Sequence, residues 1–232
     1  MEKEKKIIIV ADDFGISQKA NDTILELVRL KKLSRVAIMA DGLISLVERD
    51  LLLTSDIKLD IHLNLNKLNP KNNERKFEKG VLERSFSFLF LYFTGKVDAV
   101  SAEISWEKQI EKFEEIFGRK PDGINSHEHT HFFPAYFKIA LKLCKKYNID
   151  YLRFGKNKFP KNFHPICFIL NMLRLNNLKK FSQSELSTSD FLVSLDWIKD
   201  TEKFLQKTPV GTTEIVCHPE RDVEFEIIKK YF

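Results

Sequence analysis

The sequence predicts an α/β fold built on about seven parallel strands, and three observations lead there. Short β-branched apolar runs alternate with longer amphipathic stretches along the chain, which is the pattern of repeated βαβ units. No Gly/Ser-rich or Pro-rich linker and no fixed-period repeat breaks the alternation. The length, 232 residues, suits one large unit, because α/β barrels run past the usual ~100–200 residues of a domain. A closed barrel and a doubly wound sheet both satisfy this pattern. In both, reactive groups collect at the C-terminal ends of the strands.

The elements follow in order. Lys6–Ala11 is β-branched and reads as a buried strand. Asn21–Lys31 places Ile24, Leu27, Val28 and Leu30 at helical spacing behind a Ser17/Asn21 capping region. Arg35–Met39 and Ile57–Leu63 are the second and third strands. Ser101–Phe117 is an amphipathic helix with Ile104, Ile110, Phe113, Ile116 and Phe117 on one side and Gly118 as its C-cap. Asp122–Ser126 is the fourth strand, and Pro134–Tyr147 is a helix opened by proline, as a first turn allows. Asp150–Phe154 is the fifth strand, Phe163–Leu178 a helix, Asp190–Leu195 the sixth strand, Trp197–Leu205 a helix and Thr213–Cys217 the seventh strand. The long connection Leu65–Val100 has the length of a lid or binding loop.

Composition excludes several classes. Lys and Arg number 38 against 33 Asp and Glu; the charge is mixed and forms no stripe, which argues against a nucleic-acid partner. The apolar run at the N-terminus and the window Phe86–Phe93 are too short for a secretion signal or a membrane span. Cys144, Cys167 and Cys217 are odd in number and widely spaced. They make no disulfide framework and no Cys-x-x-Cys site, and they fit a reducing cytoplasm.

Five of the six histidines fall at predicted strand ends, His164 being the other. His62 ends strand three, His127, His129 and His131 follow strand four, and His218 follows strand seven. Asp12 and Asp13 follow strand one, and Arg153 ends strand five. Adjacent carboxylates at the end of a buried strand repel each other unless a cation or a shared proton intervenes, although a helix N-terminus would also favour them. The run Asn125–His131 sets three imidazoles at i, i+2 and i+4. In an extended chain that period puts them on one face, and imidazole is the commonest metal ligand. A carboxylate with two imidazoles makes a metal triad with positions left open for water and substrate.

The ordered motifs ADDFGIS (11–17), DIHLNL (60–65), GRKPDGINSHEHTHFFP (118–134), YLR (151–153) and EIVCHPE (214–220) resemble those of the YdjC-like carbohydrate deacetylases. The resemblance implies a distorted TIM-like (β/α) barrel formed by one domain over residues 1–232, a cytoplasmic homodimer, and removal of an acetyl group from an N-acetylated sugar such as a chitooligosaccharide. It implies one divalent metal ion, Mg²⁺ or Zn²⁺ with Mn²⁺ or Co²⁺ as alternatives, held by Asp13, His62 and His127; two imidazoles and one carboxylate by themselves suit Zn²⁺, Mn²⁺ or Fe²⁺. Asp12 then matches the general base and His218 the general acid, while Arg153 orients substrate or a carboxylate. His129 and His131 match the remaining histidines of the triplet, on the substrate side. Three departures stand out. Asn125 replaces an Asp common in the family, Glu220 replaces a Gly, and members usually continue for another helix-to-strand segment. The last leaves the final barrel strand, and full closure, unaccounted for.

Aromatic residues of the long connection, Phe77, Phe86, Phe88 and Tyr92, suit either sugar stacking or core packing. Other classes fit less well. A receiver domain also opens on a strand and Asp-Asp, but it is about half this length and lacks the triplet. A metal-dependent phosphoesterase usually carries its His-x-His after strand one. A non-catalytic metal or sugar binder would keep the fold and lose turnover.

Overall fold

The computed structural model describes residues 4–65, 98–157 and 165–232. Phe77, Phe86, Phe88, Tyr92 and His164 lie outside them. Seven strands run parallel in one curled sheet, in the order β4-β3-β2-β1-β7-β6-β5. They are β1 (Lys5–Phe14), β2 (Arg35–Ile38), β3 (Lys58–Leu63), β4 (Gly123–Ser126), β5 (Lys156–Asn157), β6 (Phe191–Ser194) and β7 (Gly211–Cys217). The helices between and after them are α1 (Gln18–Arg29), α2 (Leu46–Thr54), α3 (Ala99–Phe117), α4 (Pro134–Lys146), α5 (Pro165–Ser182), α6 (Thr201–Lys207) and α7 (Asp222–Tyr231). The result is a half-barrel close to a TIM-like barrel. No helix among the described residues is long and apolar enough to cross a membrane.

Alternation along the strands separates two faces. Ile9, Ala11, Val36, Ile38, Leu59, Ile61 and Leu63 are buried in one cluster with Trp106, Ile110 and Phe113 of α3. The other face carries Arg35, Asp60, His62, Asn125 and Glu214, so the concave side of the sheet is unusually polar. Buried polar groups persist only when they are bonded to one another, and these are.

Three differences from the sequence expectations matter. First, the expected strand Asp150–Phe154 is reduced to isolated bridges, Ile124 to Leu152 and Tyr151 to Ser187. Here the chain crosses from one sheet edge towards the other. Arg153 N–H bonds to Ile124 O at 3.0 Å, and Lys156 N–H then bonds to Asp190 O at 3.1 Å. The regular strand is therefore delayed to Lys156–Asn157, and the bridges span the gap between β4 and β6. Second, α2 was not expected, although Ser45 and Glu48 form a capping box that opens it. Third, the segment His127–Phe132 is not extended. It is 3₁₀-like, with Glu128 and His129 in the left-handed region at φ 54° and 53°. The three histidines therefore do not share one face.

Candidate metal centre and active site

The bulged end of β1 itself, which runs past the expected Ala11 to Phe14, is built to turn two carboxylates inward. Ala11 pairs with Val36 and Phe14 with Ile38, so β1 carries one extra residue at this point. Such a bulge re-aims side chains. Asp13 takes the left-handed conformation, φ 68°, which Asp tolerates better than most residues. The turn is fixed from outside. Asn21 accepts the Gly15 N–H at 2.7 Å and donates to Leu43 O at 2.7 Å. Gly42 backs directly onto Gly15, leaving no room for a Cβ.

Asp13 Oδ1 lies 3.1 Å from His62 Nε2 and 2.9 Å from His127 Nδ1. The three residues each offer a ligand atom within 4.8 Å of the others. Donors bound to one ion at about 2.0–2.1 Å sit about 2.9–3.4 Å apart at ordinary ligand angles, so the spacing and the donor types both fit a divalent cation. Burial would raise the Asp13 carboxyl, but the rings of His127 and His62 outweigh it and hold it well below the usual carboxylate range. His62 and His127 meet edge to face, with centroids 5.6 Å apart. His62 Nδ1 is 2.5 Å from Asn125 Oδ1. An amide oxygen only accepts, so this contact is a hydrogen bond from His62 Nδ1–H, and Nε2 is the nitrogen turned to Asp13.

Asp12 points the other way round the same turn. Both of its oxygens are forked by Arg153, at 2.7 Å from Nη1 and 2.8 Å from Nη2. Burial alone would raise its pKa, yet Arg153 and His62 bring it down to about 2. Arg153 is fully buried, and its Nε donates to Glu214 Oε1 at 2.5 Å. Glu214 also accepts from Tyr151 at 2.6 Å and Ser189 at 3.2 Å. On the same face of the sheet, Arg35 forks Asp60 at 2.7 and 2.5 Å.

His218 leaves the end of β7, and its charge reaches both Asp12 and Asp13. Burial would lower its pKa. The carboxylates of Glu224, at 3.7 Å, and Asp13 outweigh this and raise it to about 9. The His218 N–H is fixed by Glu224 Oε2 at 2.8 Å. One carboxylate oxygen of Glu220, next to this histidine, is buried without a hydrogen bond.

The triplet divides by role. His127 faces Asp13. His131 is fully buried, accepts from Ser126 at its Nδ1 (2.6 Å) and donates its Nε2–H to the Arg153 carbonyl at 2.7 Å. Burial takes its pKa down to about 3, so it is neutral. It braces the backbone of Arg153. His129 is likewise held neutral by burial, and its Nδ1 is buried without a partner.

Sequence reasoning missed Glu214, Asp60, Arg35 and Glu224. Two of these carried a signal. Glu214 is a charge inside the apolar run Thr213–Cys217, and Asp60 stands two residues before His62, on the same strand face.

Several known proteins resemble this chain. Curated carbohydrate deacetylases of Danio rerio and Homo sapiens are 22% and 23% identical over 153 and 154 residues. Each alignment takes in 64% of this chain, and 49% and 48% of those proteins. The chain thus spans about half the length of the curated relatives it matches. A solved structure of a proposed cellobiose-phosphate cleavage protein from Enterococcus faecalis V583 superposes with a TM-score of 0.62 at 21% identity, covering 93% of this chain and 81% of that one. That likeness bears on the fold alone. The model of the family described as YdjC-like protein matches residues 6–230, and the chain belongs to that family.

Proposed function

We propose that the chain is a metal-dependent hydrolase that removes the acetyl group from an N-acetylated amino sugar, a chitooligosaccharide or a close relative. The observation that carries this reading is the convergence of Asp13, His62 and His127 beside a separate carboxylate, Asp12, and a separate protonated imidazole, His218. The deacetylase relatives support the substrate class. Two imidazoles and one carboxylate suit Zn²⁺, Mn²⁺ or Co²⁺ in particular, with Mg²⁺ the alternative.

Amide hydrolysis needs a proton acceptor for the attacking water, a sink for the oxyanion and a proton for the leaving amine. A divalent ion bound by Asp13, His62 and His127 supplies the Lewis acidity that polarises the acetyl carbonyl and acidifies water. Asp12, fixed by Arg153, stays ionised and accepts the proton of the attacking water. The new C–O bond forms at the acetyl carbon and the C–N bond breaks. His218 delivers its proton to the departing nitrogen, giving acetate and the free amine. Arg153 serves by orienting Asp12, since both its faces are taken by carboxylates. His129 is the triplet member with a nitrogen left to meet the sugar.

Acetate release from diacetylchitobiose and a panel of N-acetylated sugars, with Mg²⁺, Mn²⁺, Co²⁺ or Zn²⁺ added, tests the reading directly. Metal-stimulated acetate release is expected. Phosphate release from model esters in place of acetate release would replace the reading with a phosphoesterase, and sugar binding without turnover would replace it with a lectin-like role. The same reading carries a cytoplasmic homodimer; all three cysteines are free and buried, as a reducing compartment allows, and light scattering measures the assembly.

A further inference from the structure

The polar face of the sheet holds an unbroken series of side-chain contacts that starts at His62 and returns to Asp12. His62 Nδ1–H donates to Asn125 Oδ1 at 2.5 Å, and Asn125 Nδ2 lies 3.5 Å from Asp60 Oδ2. Asp60 is forked by Arg35, whose guanidinium lies 4.2 Å over the Tyr151 ring. Tyr151 donates to Glu214, Glu214 accepts from Arg153, and Arg153 forks Asp12. Gly123 is the space this arrangement requires. A Cβ there would come within 2.7 Å of Asp60 Oδ1 and 2.8 Å of Arg35 Nη2 and of the Tyr151 ring.

Within this series Asn125 is the one side-chain amide, with an acceptor oxygen at one end and a donor nitrogen at the other. Both Asp60 oxygens accept from Arg35, so Asp60 meets Asn125 as an acceptor. The amide nitrogen therefore turns to Asp60, and the amide oxygen turns to His62. Only a His62 protonated on Nδ1 satisfies that oxygen, and Nε2 is then the nitrogen left to face Asp13, at 3.1 Å from its Oδ1. A carboxylate at position 125 would satisfy His62 equally well but would set two buried like charges side by side.

We propose that Asn125 is a positioning residue for the cation site: clamped between Asp60 and His62, it selects the His62 tautomer whose Nε2 faces Asp13. This rests on the reading of Asp13, His62 and His127 as a cation site, and its test does not use deacetylation.

Two measurements on the metal-free protein and on metal binding decide it. The first is ¹⁵N NMR of histidine-labelled wild-type protein, which reports each ring's tautomer. His62 is expected to carry a proton on Nδ1; a ring protonated on Nε2 alone overturns the proposal. The second is Zn²⁺ affinity by chelator competition for Asn125→Leu and for the exchange variant Asn125→Asp/Asp60→Asn. Asn125→Leu removes the acceptor and is expected to weaken Zn²⁺ about 10–100-fold, with the Nε2–H form of His62 gaining population. The exchange variant restores an acceptor for His62, a donor from position 60 and an acceptor for Arg35, and is expected to bind within about threefold of wild type. Wild-type affinity in folded Asn125→Leu, or no recovery in the folded exchange variant, overturns the proposal. Loss of acetate release with these results intact would instead count against the proposed reaction.

Discussion

Arg153 holds both oxygens of Asp12, at 2.7 and 2.8 Å, with the guanidinium wholly out of solvent. Its remaining donor Nε goes to Glu214. One cation thus compensates two interior carboxylates that enter from different strands. Arg153→Met leaves both without their buried cation, although Glu214 keeps Tyr151 and Ser189, and breaking a buried pair in this way costs on the order of 3–5 kcal/mol. Chemical denaturation of the metal-free variant measures it. A loss under about 1 kcal/mol would show that the fork is not structural.

The two aspartates should separate cleanly by substitution. Asp12→Asn keeps the divalent ion and lowers kcat by about 10²–10⁴-fold, the range for acid–base groups. Asp13→Asn loses the ion, because Asp13 alone faces both His62 and His127. Metal content by mass spectrometry alongside kcat distinguishes the two outcomes.

His218 sets the alkaline side of the pH profile. It donates as imidazolium, so turnover falls as pH rises through its folded pKa of about 9. With a cation bound, part of the Asp13 charge is shared, and the limb lies no higher than that value. His218→Asn is expected to abolish the limb and lower kcat by about 10²–10⁴-fold. Stability follows the same sign. Its raised pKa contributes fully below the ordinary value of 6.5 and is lost as pH rises towards about 9. The variant and wild type should therefore differ in stability at pH 6 and converge near pH 10.

The turn that carries Asp13 depends on a backbone contact that no side chain tolerates. A Cβ on Gly42 would sit 2.0 Å from the Gly15 carbonyl oxygen. Gly42→Ala is expected to cost at least the ~1–3 kcal/mol usual for overpacking and to weaken metal binding by displacing Asp13. Thermal denaturation and Zn²⁺ titration check both parts.

Much of this arrangement was legible in the residues, and what escaped did so for definable reasons. Asp12, Asp13, His62, His127 and His218 are readable because an apolar strand immediately precedes each of their motifs and marks a strand end. The strands β1, β3 and β7 announce themselves by β-branched runs. The period-two reading of His127, His129 and His131 failed because the strand stops at Ser126. The Ser126 hydroxyl accepts the His131 N–H at 2.9 Å and the Thr130 hydroxyl at 3.0 Å. It draws the chain back into a tight turn that needs left-handed Glu128 and His129. Alternation cannot report such a turn. Asp60, Arg35 and Glu214 escaped because their partners come from distant parts of the chain, 25 residues away for Arg35–Asp60 and 61 for Arg153–Glu214. Local pattern holds no record of such pairings. The fifth strand was displaced by the same kind of cause, a change of pairing partner between Arg153 and Lys156.

The claim beneath all of this is that Asp13, His62 and His127 grip a single cation. Crystals grown with Zn²⁺ or Mn²⁺ and measured across the metal's absorption edge test it most directly. The account predicts one anomalous peak within about 2.0–2.3 Å of an Asp13 oxygen, His62 Nε2 and a His127 ring nitrogen. A peak seated on other residues, or none at saturating metal with the three side chains in place, would contradict it.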